Sequence, residues 1–235
     1  MMRVAILNPQ ANFSKVEKGW PQKPDFGGQL IYVRELANAL SKLNVRVDII
    51  TRKFRLEGWS DYNESASFIN ENLRILRLPC GPSGFVPKES LWPYLEEWKQ
   101  QIVDHYYREE EFPHVCSAHY ADGGYVGYLI KEELSIPFTF TSHSLGGPKI
   151  DKLLESGELP HEFLKKYRFD KRILAESISI QTATKIVAST DLEIENQYGH
   201  PLYEPEHLSN KEKFSKVSPG INHNFFSQNE LLNEK

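Results

Sequence analysis

Short apolar runs alternate with helix-like patterns along the chain. Arg3–Leu7, "RVAIL", is an apolar run closed by the turn signal Asn8-Pro9 and predicts a buried strand. After Gly27-Gly28, Leu30, Val33, Ala37 and Leu40 recur at helical spacing, and "VRVDIIT" (Val45–Thr51) returns to strand character. Strand, helix and strand in that order predict a β-α-β unit and parallel pairing. "LRILRLP" (Leu73–Pro79) alternates apolar and polar residues and predicts another strand. From Ser90, a good N-cap, Leu95, Trp98, Ile102 and Tyr106 mark one face of a long helix. Pro93 then falls in its first turn, where a missing N–H costs little.

The alternation continues with a strand at "HVCSAHY" (His114–Tyr120), a glycine-started helix "GGYVGYLIKEEL", and a strand "PFTFTSH" (Pro137–His143). A long helix from about Phe163 to Thr182, a strand "KIVAST", a helix begun by Asp191 and a last strand within Lys213–Asn222 complete the pattern. These elements predict an α/β fold with a doubly wound, mostly parallel sheet, one domain over residues 1–226 and a frayed polar tail at 227–235.

Composition narrows the class. Hydrophobic residues make up 40% and charged residues 26%, as in soluble globular proteins, and the net charge of −4 argues against a generic nucleic-acid or anionic-membrane binder. No apolar run approaches the roughly 20 residues of a membrane span. Cys80 and Cys116 lie far apart with no C-x-x-C, which fits a reducing cytoplasm, no disulfide framework and no zinc site. The chain has no H-x-x-x-H and no Asp-x-Asp, so no metal is expected; it also lacks G-x-S-x-G, G-x-G-x-x-G and a P-loop.

Ligands of such sheets lie at the carboxyl ends of the strands. The segments following the strands hold Gly27-Gly28, Gly123-Gly124 and Gly146-Gly147, together with His119, His143 and Lys149. Each glycine pair is either a tight turn or a place where backbone closes on a polar ligand, such as a phosphate at a helix N-terminus. The two histidines are either hydrogen-bonded to neighbouring loops or functional. "FLKKYRFDKRILAE" sets Arg168 and Arg172 four residues apart on one helical face, able to grip one phosphate or to form part of a solvated charged face with Lys165 and Lys171.

The segments "LNPQANF", "DFGGQLIYVRELANAL", "FVPKESLWPYL", "HYADGGYVG", "FTFTSHSLGGPK" and "KRILAE" together resemble the amino-terminal half of bacterial sucrose-phosphate synthases. These are retaining GT-B glycosyltransferases, kin of sucrose synthases and mannosylfructose-phosphate synthases. The resemblance runs from about residue 3 to residue 226. It implies a Rossmann-like domain that binds fructose 6-phosphate, while a second domain holds UDP-glucose or ADP-glucose, with no other cofactor. It assigns Gly28 and Gln29 to a loop over the acceptor and the donor phosphate, and Lys88, Tyr120 and Ser144 to the acceptor sugar. Lys149 and Arg172 fall to the 6-phosphate, with Lys171 where relatives often carry arginine, and His143 falls beside the transferred glucosyl group as the catalytic residue.

In the family a second Rossmann domain follows "VSPGINHNFF", with an E-x7-E pair and a basic pair for the diphosphate; this chain ends at Lys235. Leaving-group charge must be stabilised by preorganised cations, so the chain alone is expected to be inactive. Two other readings remain open: a non-catalytic sugar-phosphate-binding module, and half of a related transferase with another hexose phosphate or a small polyol acid as acceptor.

Overall fold

The computed structural model describes residues 1–10, 12–14 and 27–220. Its strands are β1 (Arg3–Leu7), β2 (Arg46–Arg55), β3 (Ala66–Asn70), β4 (Leu73–Gly84), β5 (Val115–His119), β6 (Phe138–Thr141), β7 (Lys185–Ala188) and β8 (Phe214–Lys216). The α-helices are α1 (Gly28–Lys42), α2 (Leu95–Glu109), α3 (Tyr120–Leu134), α4 (Gly146–Glu155), α5 (Pro160–Lys166), α6 (Phe169–Thr182) and α7 (Glu204–Ser209). The strands form one sheet in the order β3-β4-β2-β1-β5-β6-β7-β8, parallel throughout except for the antiparallel edge pair β3–β4. The α/β doubly wound expectation holds.

Strand alternation divides the core. Val4 and Ile6 of β1 pack with Leu30, Val33 and Ala37 of α1, while Ala5 and Leu7 face Trp98 and Ile102 of α2 and Val126 of α3. With helices on both faces, all five residues of β1 are buried, as expected for a central parallel strand. The chain turns from β1 to β2 on one side, and β5 pairs on the other, so the sheet's switch point lies between β1 and β5.

A buried ion network ties the opposite, amino edge. Arg3 Nε donates to Asp48 Oδ2 at 2.9 Å, Arg74 Nε to Asp48 Oδ1 at 2.6 Å and Nη1 to Glu109 Oε1 at 2.7 Å, and Tyr106 donates to Asp48 at 2.9 Å. The hydrogen bond from Arg74 holds the Glu109 carboxyl down to about 2.

Three expectations need correction. The long helix from Phe163 is two helices, because Arg168 takes a left-handed φ of 49° between α5 and α6. The helix expected from Ser90 starts at Leu95; Lys88–Ser90 and Trp92–Tyr94 form 3-10 turns, and Pro93 sits in the second. The helix expected to start at Gly123-Gly124 starts at Tyr120 instead, whereas the helix expected from Asp191 does begin there and is π-helical over Glu193–Gln197. The proposed end of the domain at residue 226 and the tail at 227–235 lie outside the described residues. Cys80 and Cys116 are free and buried, and burial pushes their thiols up to about 11 and about 12.

Candidate functional site

The carboxyl edge of the sheet gathers three polar groups. At the end of β1, buried Asn8 accepts from Gln29 Nε2 at 2.9 Å, and Gln10 reaches Gln29 Oε1 at 3.4 Å. Gln29 sits in the first turn of α1, which has no side-chain cap and no acidic residue. Among the described residues, a Cβ on Gly27 or Gly28 meets nothing within 4 Å.

One turn along α1, Tyr32 stands edge-on to His143, with ring centroids 5.0 Å apart. His143, just after β6, meets His119 at the end of β5, Nε2 to Nδ1 at 2.8 Å. Burial drives the His119 pKa well below its ordinary value and lowers that of His143 to about 4. Both rings are therefore neutral at pH 7. His143 has a left-handed φ of 56°, a conformation costly for a residue with a Cβ.

Beside them lies a cleft whose charged lining is Lys88, Lys149 and Arg172 with Glu89 and Asp122, set among Trp92, Tyr120 and Tyr167; Lys88 pairs with Glu89 at 3.5 Å. Tyr120 opens α3 with a left-handed φ of 66°, and its ring lies 4.7 Å from the Arg172 guanidinium carbon. Lys149 Nζ sits 4.3 Å from the Tyr167 ring centre. Partial burial, then the charges of Arg172 and Lys88, lower the Lys149 pKa. Three mutually repelling cations around one cleft are chemistry for an anion. The enclosed space is about 20 Å³, room for a water and not for a hexose, so a sugar phosphate would need Lys149 to move off Tyr167 or would seat its ring on the open side.

Arg172 is itself anchored. Its Nε donates to Glu176 Oε1 at 2.9 Å and its Nη2 to the Ser144 carbonyl at 2.6 Å and to Ser144 Oγ at 3.3 Å. Glu176, fully buried, also accepts the Gly146 N–H at 3.0 Å and the Tyr203 hydroxyl, while the Gly147 N–H donates to Tyr203 at 3.0 Å. The amino end of α4 is thus satisfied from inside the protein. Glu176 was legible only as the i+4 partner of Arg172 in "KRILAE".

Asp122 is the other residue that sequence reasoning passed over. Its Oδ1 accepts the Gly123 N–H at 2.8 Å beneath the cations. Burial raises its pKa to about 7, against the opposing pull of that N–H, Arg172 and Lys88. Only its place inside "HYADGGYVG" hinted at it.

The expected residues are not all brought together. Lys88, Tyr120, Lys149 and Arg172 share the cleft, and Ser144 touches it through Arg172. Gly28 and Gln29 lie on the α1 side with His143. Lys171 is exposed and lines a neighbouring depression with Tyr125 and Arg168, on the other side of Trp92, which borders both. The Arg168–Arg172 grip does not form, because Arg168 stands outside α6 and pairs with Asp170 at 3.2 Å. Gly123 and Gly124 lie inside α3, where a Cβ would come within 2.6 Å of the Leu7 carbonyl oxygen or 2.2 Å of Ser179 Oγ. That pair permits close packing and does not close on a ligand.

Among known structures, the fold resembles sucrose-phosphate synthase from Thermosynechococcus elongatus, with a TM-score of 0.70 at 19% identity over 99% of this chain and 53% of that one. It also resembles the catalytic domain of starch synthase IV from Arabidopsis thaliana, with a TM-score of 0.61 at 13% identity over 95% of this chain and 52% of that one. The doubly wound sheet with its cleft at the carboxyl edge therefore has the Rossmann-like fold of a GT-B domain. Residues 64–229 match the family described as sucrose synthase first GT-B domain, and the chain belongs to that family. In sequence it is 40% identical to a probable sucrose-phosphate synthase of Thermosipho melanesiensis over 96% of this chain and 52% of the relative. It is 32% identical to sucrose-phosphate synthase of Zea mays over 74% of this chain and 19% of the relative. The chain thus spans about half of the first relative and a fifth of the second. Among the described residues no helix is long and apolar enough to cross a membrane, and no group of side chains could hold a metal ion.

Proposed function

We propose that this chain is the acceptor-binding half of a sucrose-phosphate-synthase-like, retaining glycosyltransferase of the cytoplasm. The acceptor is fructose 6-phosphate, and the donor, UDP-glucose or ADP-glucose, is held by a second domain. The observation that carries the reading is the convergence of Lys88, Lys149 and Arg172 on one cleft next to the sheet's switch point. Lys88 is paired with Glu89 and Arg172 with Glu176, while Lys149 rests against the Tyr167 ring, so the cleft offers a phosphate cationic hydrogen-bond donors that a neutral sugar does not need. Tyr120 and Ser144 meet the sugar, and Gly28 and Gln29 approach the acceptor and the donor phosphate at the amino end of α1. His143 sits beside the transferred glucosyl group; as a neutral ring it hydrogen-bonds there and carries no charge.

Residues 1–235 bind the acceptor without transferring glucose, because the cations that stabilise the departing diphosphate belong to the second domain. Glucosyl transfer assays on this chain, alone and joined to a nucleotide-sugar-binding second half, test the proposal. Transfer at a rate on the order of 1 s⁻¹ or more by the isolated chain contradicts it.

A further inference from the structure

We propose that His119 is a positioning residue that fixes the His143 ring in its Nδ1–H tautomer, through a line of hydrogen bonds entering from β6. The line starts at Thr139 Oγ1, 3.4 Å from Ser117 Oγ, its register partner on β5. Ser117 Oγ lies 3.0 Å from His119 Nε2, and His119 Nδ1 lies 2.8 Å from His143 Nε2.

The direction of the line follows from acceptor strength. Ser117 has one hydroxyl proton, and the imidazole nitrogen is both nearer and a stronger acceptor than the threonine hydroxyl, so the proton points to His119 Nε2. A neutral His119 then carries its own proton on Nδ1 and donates it to His143 Nε2. His143, also neutral, keeps its proton on Nδ1. Burial disfavours any additional proton on either ring at neutral pH. The geometry locks the arrangement: the two rings lie side by side, centroids 5.0 Å apart and planes 26° from parallel, as an in-plane N–H···N bond requires, and Tyr32 meets His143 edge-on.

An isolated imidazole side chain in water favours the Nε2–H form, so the tautomer is diagnostic. Held this way, His143 offers an N–H, which suits a hydroxyl or phosphate oxygen, and has no free lone pair to act as a base. That last step rests on reading the cleft as a sugar site; the tautomer does not.

The test is long-range proton–nitrogen correlation on the full chain with nitrogen-15-labelled histidine, free of ligand, at pH 7.5. Wild type is expected to show His119 and His143 each as a single Nδ1–H tautomer. Ser117→Ala removes the donor to Nε2, and both histidines are expected to shift toward a mixture. His119→Phe is expected to release His143 to its Nε2–H form; if that variant does not fold, Ser117→Ala carries the test. An Nε2–H His143 in wild type, or a His143 tautomer unmoved in Ser117→Ala, overturns the proposal. Titrating the same proteins with fructose 6-phosphate separates the two readings, since absence of binding leaves the tautomer result standing.

Discussion

Arg172 and Glu176 form a buried ion pair one helical turn apart, 2.9 Å from Nε to Oε1, and the same carboxylate caps the backbone of α4. Removing one partner of such a pair leaves an uncompensated buried charge, at a cost of about 3–5 kcal/mol. Glu176→Ala is therefore expected to lower unfolding stability by that order, read from urea denaturation at pH 7. Arg172→Ala is expected to behave similarly, which makes it a poor probe of ligand binding by itself. A loss below about 1 kcal/mol in both variants would show that the pair does not organise the cleft.

Lys171 and Lys165 serve as a contrast. Both are exposed, and neither lines the cleft of Lys149 and Arg172. Lys171→Ala and Lys165→Ala are expected to leave fructose 6-phosphate affinity within about twofold, a change of under ~0.5 kcal/mol. A tenfold loss for Lys171→Ala in calorimetric titration would move the phosphate toward the depression beside Trp92.

The strands were legible because a central parallel strand is buried on both faces and reads as a plain apolar run, as in Arg3–Leu7. β3 was not read, since "ASFIN" is a short edge strand with Phe68 exposed and little hydrophobic signal. The break at Arg168 was hidden as well: a single left-handed residue leaves the helical spacing on either side intact. At the site, residue types were legible but partners were not. Three glycine pairs look alike in sequence, yet a Cβ on Gly27 or Gly28 meets none of the described residues, while the others fit against Leu7, Ser179, Ile173 and His200. The coupling of Glu176 to Gly146 spans 30 positions and leaves no local pattern.

The glycines therefore separate packing from binding. Gly124→Ala places a methyl against Ser179 and Phe140 and is expected to cost about 1–3 kcal/mol. Gly28→Ala meets no atom of the described residues and is expected to leave stability nearly unchanged. Thermal unfolding of the two variants side by side checks this, and equal losses would contradict it.

Asp122 gives the fold a pH signature. Its folded pKa, about 7, lies above the ordinary 3.8, so the folded state holds the extra proton, and stability from this group falls as pH rises from about 4 to about 7. His119 and His143 work in the opposite sense: their depressed values mean that stability is lost as pH falls from 6.5 toward 4. In Asp122→Asn the first effect vanishes and the second remains. Its stability relative to wild type is expected to improve steadily between pH 4 and pH 7 and then level off. Denaturation curves at pH 4.5, 6 and 8 test this; a difference constant with pH would mean that Asp122 is ionised throughout.

The central claim is that Lys149 stands ready for the phosphate of a sugar phosphate. Isothermal titration of fructose 6-phosphate and of fructose into wild type and Lys149→Ala tests it most directly. A charge-assisted hydrogen bond contributes roughly 1.5–3 kcal/mol, so Lys149→Ala is expected to weaken fructose 6-phosphate binding about ten- to a hundredfold. The much weaker binding of fructose is expected to stay the same. Equal affinities of wild type and Lys149→Ala for fructose 6-phosphate, or equal affinities of wild type for the phosphorylated and the free sugar, would contradict the account.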